Sequence, residues 1–222
     1  MSDSILQVNQ IKDKGGNATG ITVADTTANV SIGNLTTTLS STSTIPASLS
    51  GLKLTKSYSG NLNGNTPAYL VDDAFTTTYD SYYVMMHGQL SSDLDGESTL
   101  NMRMSKSNNT NSNNSCWSIV RGWDHNGTSR NTTRNNSDSL YIVNGVDKTY
   151  PWSLTFKIDR PATSNHTFMQ GTSCNFRDSD GLFAQAFSGF HGTNYSATGF
   201  ALWWSVSGTQ STCNINIYGI DG

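Results

Sequence analysis

Carboxylates, histidines, cysteines and tryptophans are the side chains here whose types and spacing bear on chemistry. The carboxylates gather in two runs, Asp93-Leu-Asp95-Gly96-Glu97 and Arg177-Asp-Ser-Asp-Gly181. Both hold oxygen ligands of the kind Ca²⁺ takes, but neither has the length and spacing of an EF-hand loop. A glycosidase needs two carboxylates converging across a cleft, whereas each run closes on Asp-Gly, a turn signal. The first therefore reads as a hairpin loop and the second as a simple loop. His87, His125, His166 and His191 are scattered, with no pair at i+2 or i+4. One chain offers no histidine chelate, although three copies of one histidine on a trimer axis would make one. No nucleophile elbow, dinucleotide fingerprint or phosphate-binding loop is present. Cys116, Cys174 and Cys213 form no Cys-x-x-Cys and read as small buried strand residues. A Cys174–Cys213 disulfide is the alternative, disfavoured by synthesis in a cytoplasm. No catalytic residue, metal or cofactor is assigned, and the chain is expected not to be an enzyme.

The positive signal is aromatic. Trp123-Asp124-His125-Asn126-Gly127 stands at a strand end that opens a polar loop. An indole platform beside such donors and acceptors suits a sugar, which makes Trp123, Asp124, His125 and Asn126 candidate glycan or host-surface contacts. The plain alternative is a strand-end tryptophan covering the core. Trp203 and Trp204 are adjacent, so in a strand they point to opposite faces. One ring then enters the core, and the other is a candidate subunit contact. Trp117 alternates with Ile119, and Trp152 with Leu154 and Phe156, which reads as core packing.

Strands must carry these residues. Of 222 residues, 35% are hydrophobic and only 13% charged, the balance being largely Ser, Thr, Asn and Gly. Polar but uncharged, with 10% aromatics, is the profile of strands joined by polar turns. Residues 1–50 contain no Trp, Tyr, Phe or Cys, yet hold Ile5, Leu6, Val8 and Ile11 ahead of short alternating pieces such as Ile21-Thr-Val23. Fifty residues without aromatics build no core alone, so they read as an arm or shaft, ending in the low-complexity linker of residues 36–50. From residue 51 onward, roughly eight or nine turn-separated strands are expected. The inserts at residues 106–115 and 124–138 read as loops, and Asp72 to Phe75 as one short helical turn. The fold class is all-β, with an extended N-terminal arm or shaft (1–50) followed by a jelly-roll-like antiparallel β-sandwich (51–222). A net charge of −3 gives no basic stripe for nucleic acid. No apolar run of ~18 residues predicts a membrane span, and the opening residues lack a secretory signal, which predicts synthesis in a cytoplasm.

Three pieces carry a family likeness: the opening Ile5-Leu-Gln-Val-Asn-Gln-Ile-Lys-Asp-Lys-Gly-Gly-Asn-Ala, the following Ala28-Asn-Val-Ser-Ile, and the closing Asn214-Ile-Asn-Ile-Tyr-Gly-Ile. With the strand–turn–strand segment of residues 75–103, they resemble virion appendage proteins of tailed bacteriophages, notably marine and cyanobacterial ones. Ala28-Asn29 stands where such chains more often have Gly-Asn. The resemblance implies a homotrimeric fibre, head-fibre or decoration subunit at the virion surface. Its arm would dock on capsid or tail proteins, and its jelly-roll knob would face outward, towards a host-surface glycan among other partners. It implies no catalytic residues. A carbohydrate-binding module outside any virion is the alternative reading.

Overall fold

The computed structural model describes residues 51–64, 69–94, 96–106, 109–110, 116–177, 181–192 and 196–220. The arm of residues 1–50, with Ile5, Leu6, Val8 and Ile11, lies outside the described residues, as does Asp95. Among the described residues, thirteen strands form in chain order: β1 (Leu52–Asn63), β2 (Tyr69–Val71), β3 (Ser81–Leu90), β4 (Ser98–Lys106), β5 (Asn109–Thr110), β6 (Cys116–Asp124), β7 (Ser129–Ser137), β8 (Leu140–Val146), β9 (Pro151–Asp159), β10 (Thr167–Arg177), β11 (Gly181–His191), β12 (Gly199–Trp204) and β13 (Gln210–Ile220). The described residues contain no helix. An eight-stranded sheet runs β1-β13-β3-β9-β10-β11-β6-β7. A five-stranded sheet runs β2-β12-β4, and β4 is flanked on its other side by β5 and β8. The ladders within both sheets are antiparallel. The chain is an antiparallel β-sandwich, the fold class its alternation predicts.

Period-2 alternation in the large sheet sends one set of side chains inward. Val84 and Met86 on β3, Trp152, Leu154 and Phe156 on β9, and Ile215 and Ile217 on β13 are buried. Phe200, Leu202 and Trp204 of β12 come down on them from the small sheet. Trp152 and Trp204 meet edge to face, centroids 5.6 Å apart at 87°, a preferred geometry for two rings. The Trp204 indole N–H donates to Ser211 Oγ at 2.9 Å, so its one polar group is satisfied in the core. Phe156 meets Phe200 at 6.4 Å and Phe187 at 5.7 Å.

Toward β8 the inter-sheet space turns polar. The Gln185 side chain pairs with the main chain of β8 as a strand would: its Oε1 accepts from Asn144 N at 2.8 Å and its Nε2 donates to Asn144 O at 2.9 Å. Asn175 Nδ2 donates to Gly145 O at 2.8 Å, and Asn175 Oδ1 accepts from Gln185. Arg177, 1% exposed, lies over the Phe183 ring at 4.7 Å and ion-pairs with Glu97.

Several sequence expectations change. Residues 91–97 do not close a hairpin: β3 and β4 belong to different sheets, and the segment crosses between them. It is held by Thr149 N donating to Asp93 Oδ1 at 2.8 Å and Leu94 N donating to Asp147 O at 2.8 Å. The polar run after Asp124 is mostly strand. β7 pairs with β6 as an edge, where a strand with one free side and no core-facing demand can be built from Thr, Arg and Asn. Residues 167–177 form one long strand, β10, because Gly171 continues the ladder. A Cβ there would sit 2.4 Å from Phe156 Cβ, so glycine serves close packing and not a turn. No helical turn forms at Asp72 to Phe75; Ala74 N and Phe75 N donate to Thr198 O at 2.8 and 3.0 Å. By contrast, β10 and β11 are antiparallel neighbours with Arg177 opposite Gly181, and residues 178–180 lie outside the described residues.

The cysteines are free. Cys213 faces the core, Cys174 lies on the outer face, and β3 and β9 stand between their strands, so they do not bridge. Burial pushes the Cys116 and Cys213 thiols up to about 12. Iodoacetamide at pH 8 should therefore modify Cys174 in the folded chain and reach Cys116 and Cys213 only in denaturant, as read by peptide mass spectrometry. A second prediction concerns Gly145, which has φ +72° and would place a Cβ 2.7 Å from Arg177 Cζ. Gly145→Ala should lose at least about 1–3 kcal/mol in urea unfolding, the cost of the left-handed backbone before the collision is added.

Candidate functional site

The small sheet covers the inner face of the large one, so the outer side chains of β10, β11 and β6 face solvent. Register sets them in rows. Phe168 stands opposite Phe190, and Phe190 opposite Trp117, so three aromatic residues lie side by side across three strands. Ring centroids are 4.9 Å apart for Phe168–Phe190 and 5.5 Å for Phe190–Trp117, with His166 a further neighbour of Phe190 at 5.2 Å. Phe168 is 56% exposed, Trp117 38% and Ile119 44%. The rings flank an open, mainly apolar hollow of about 340 Å³ lined also by Asn135 and Ser188.

In the neighbouring row, Lys157, Gln170 and Ser188 are cross-strand partners across β9, β10 and β11, with Tyr83 of β3 and Ile119 of β6 at its two ends. On the other side of Phe168 lie Ser81, Asp159, Arg160 and His166, around a second hollow that shares Phe168. Asp159 accepts from Ser81 Oγ at 2.7 Å and from Lys157 Nζ at 2.7 Å. Partial burial opposes its ionisation, but the Lys157 ammonium and the Ser81 hydroxyl outweigh that and hold its carboxyl below the ordinary range.

Sequence spacing placed Trp117 and Ile119 on the core side of β6, and the structure reverses this. Cys116, Ser118, Val120 and Gly122 face inward. The reason is the close approach of β8: Ser118 Oγ accepts from Tyr141 N at 2.9 Å. A Cβ at Gly122 would meet the Phe183 ring at 2.5 Å. Only small inner side chains fit, so the large ones of β6 face out.

Trp123, Asp124, His125 and Asn126 do not converge. Trp123 is 52% exposed on the same outer face, at the far end of β6 from Trp117. Asp124 is the next strand residue and is turned the other way. Its Oδ1 accepts from Asn126 N and Thr128 N, both at 2.8 Å, so it builds the β6–β7 turn. The Thr128 N–H above all, with help from Asn126 and His125, holds this carboxyl below the ordinary range. His125 packs against Gly181, where a Cβ would stand 2.6 Å from Nδ1. Asn126 is exposed at the tip.

Trp203 and Trp204 take opposite faces, as alternation requires. Trp204 is core. Trp203 lies on the outer side of the small sheet but is only 6% exposed, with the Arg103 guanidinium 5.1 Å from its ring centroid. Arg103 Nε donates to Asp138 O at 2.8 Å and ion-pairs with the Asp138 carboxylate. Beside it, Arg134 lies over the Tyr141 ring at 4.4 Å and donates to Asn101 Oδ1 at 2.8 Å and Ser139 Oγ at 3.0 Å. Most of the Trp203 surface is thus covered within one chain. Among the described residues, no group of three or more His, Cys, Asp or Glu could hold a metal ion.

The class this geometry defines is an antiparallel β-sandwich with an aromatic row on the exposed face of its larger sheet. No protein-family model, curated protein or solved structure matches the chain.

Because the folded-state Asp124 carboxyl is depressed, its contribution to the turn is present above the unfolded-state value and is lost as pH falls through the folded one. Carboxyl-carbon NMR should place Asp124 below 3.8, and the Asn126 and Thr128 amide signals should shift together as it protonates. Titration at the ordinary aspartate value, or amides that ignore it, would show that the carboxylate does not hold the turn.

Proposed function

We propose that the chain is a structural subunit of a tailed-bacteriophage virion, of fibre or capsid- or tail-decoration type, carried as a homotrimer on the virion surface. Residues 1–50 attach it to capsid or tail proteins, and the sandwich faces outward for assembly or host-surface contact. The carrying observation is the division within one chain. Its first fifty residues have no aromatics, whereas all five tryptophans lie at Trp117 or later, and the sandwich presents three ring-bearing strands to solvent. An arm with little core of its own is suited to ordering against partner chains. There, main-chain hydrogen bonds and burial of Ile5, Leu6, Val8 and Ile11 offset the entropy of fixing it.

A second reading, a carbohydrate-binding module outside any virion, is favoured by the Phe168–Phe190–Trp117 row. It has no use for the arm, and that separates the two. Mass photometry of the full chain should show three copies of 24.0 kDa; a stable monomer would count against the virion reading. Ile5→Asp combined with Val8→Asp should abolish incorporation into particles assembled in the same cell while leaving the melting temperature of the sandwich unchanged. Normal incorporation of that variant would remove the arm from the proposal.

A further inference from the structure

We infer that the outer face of the eight-stranded sheet carries a binding strip for a neutral oligosaccharide, laid across β9, β10, β11 and β6 on the Phe168–Phe190–Trp117 row. This rests on the host-surface part of the proposed function and specifies its ligand.

The chemistry follows from how the face is striped. The Phe168–Phe190–Trp117 row packs ring on ring across three strands, so its rings are held in place before any ligand arrives. The row beside it presents Gln170 and Ser188, while Asp159 and Ser81 continue the aromatic row beyond Phe168 and Asn135 lies by the hollow at the Trp117 end. A ligand matched to that stripe has an apolar face for the rings and a hydrogen-bonding rim for the flanks. A pyranose has that form: its C–H face stacks on a ring and its hydroxyls lie around the edge. Aromatic platforms with a few placed polar groups are the usual make-up of small-molecule sites.

Charge narrows the class. Asp80 and Asp159 are balanced by Lys157 and Arg160 on the same flank, and Lys157 is paired to Asp159 at 2.7 Å. With no excess of either sign, the strip offers little to a sulfated or sialylated chain. The form of the site sets the mode. The hollows are open and adjoin through Phe168, so a chain lies across the sheet and does not enter by its end.

A second copy of this protein fits the face less well. The cores of protein interfaces are depleted in Lys and Asp, yet Lys157 and Asp159 sit within reach of the rings, and Arg121 is exposed two residues along β6 from Ile119.

The test uses the full chain against oligomers of neutral hexoses (α- and β-linked glucose and mannose hexasaccharides), read by tryptophan fluorescence and calorimetry. At least one should bind. Phe168→Ala and Trp117→Ala should each weaken binding at least about tenfold, as loss of a central aromatic anchor does. Trp123→Ala, on the same face but off the row, should leave affinity unchanged. Unchanged melting temperatures verify that all three variants fold. Binding to none of the oligomers, an equal loss with Trp123→Ala, or a preference for sulfated or sialylated chains would each overturn the inference. So would concentration-dependent self-association abolished by Phe168→Ala, which would give the face to a second copy. Particle incorporation separates this from the virion reading. Normal incorporation of the unsubstituted chain alongside its failure to bind any glycan defeats only the strip, whereas glycan binding by an unsubstituted chain that never enters particles defeats only the virion.

Discussion

An eight-stranded sheet has two faces, and one smaller sheet can cover only one of them. That constraint organises the molecule. The inner face takes Trp152, Phe156, Ile215 and Ile217 because the small sheet brings Phe200, Leu202 and Trp204 down upon them. Once the inner residues of each strand are fixed, alternation decides what every outer position shows. The candidate site is thus a surface that the packing leaves over, and strand register brings its residues together from positions far apart in sequence.

The same constraint explains the polar seam. Where β8 lies on β10 and β11, the inner positions are Asn175, Arg177 and Gln185 instead of aliphatics. Gln185 pairs with the main chain of Asn144 through both ends of its amide, so a side chain of one sheet completes hydrogen bonds of the other. An aliphatic there would leave those Asn144 groups without the partners they now have, which buried main chain tolerates poorly. Arg177 is buried with its charge met by Glu97 and its plane against Phe183. Removing Glu97 would take an opposite charge away from that buried guanidinium, which is the costly way to break such a pair. The two arginines on the outer side of the small sheet act in a related way. Arg103 and Arg134 tie the β7–β8 turn to β4 through Asp138 and Asn101.

Sequence periodicity was a good guide to fold class and a poor one to facing. The turn-separated alternation expected from residue 51 onward is met by the sandwich strands, and Trp203-Trp204 splits between faces. What periodicity could not reveal was which face of β6 is core. Trp117 and Ile119 are its large apolar residues, and hydrophobicity alone assigns them inward. The deciding fact is the approach of β8, a contact across more than twenty residues that no local pattern records. β7 was missed for the opposite reason: an edge strand without core contacts has no apolar period to find. Within Trp123-Asp124-His125-Asn126, the Asp-His-Asn-Gly run was a turn signal as well as a sugar-like cluster, and the turn uses the carboxylate. Phe168, Phe190 and Trp117 were each visible as aromatics, but only antiparallel register sets them side by side.

The crowded inner face of β6 accounts for large residues pointing outward, but it does not require them to be aromatic. Elsewhere the same outer face is polar at Thr212, Asn214 and Asn216 on β13 and at Ser153 and Thr155 on β9, and shows larger side chains at Tyr83, Met85, Trp123, Phe176, Leu182 and Tyr218. Packing asks nothing different of the outer positions of β10 and β11, where Met169, Phe187 and Thr167 already fill the inner side. Phe168 and Phe190 therefore leave apolar surface in water with no compensating gain to the core. Scattered exposed apolar residues are ordinary, but a contiguous set in one register row is the kind of patch that marks a contact surface. The ring-on-ring contact of three outward-facing side chains brought together by register, more than the presence of aromatics as such, is the ground for proposing recognition there.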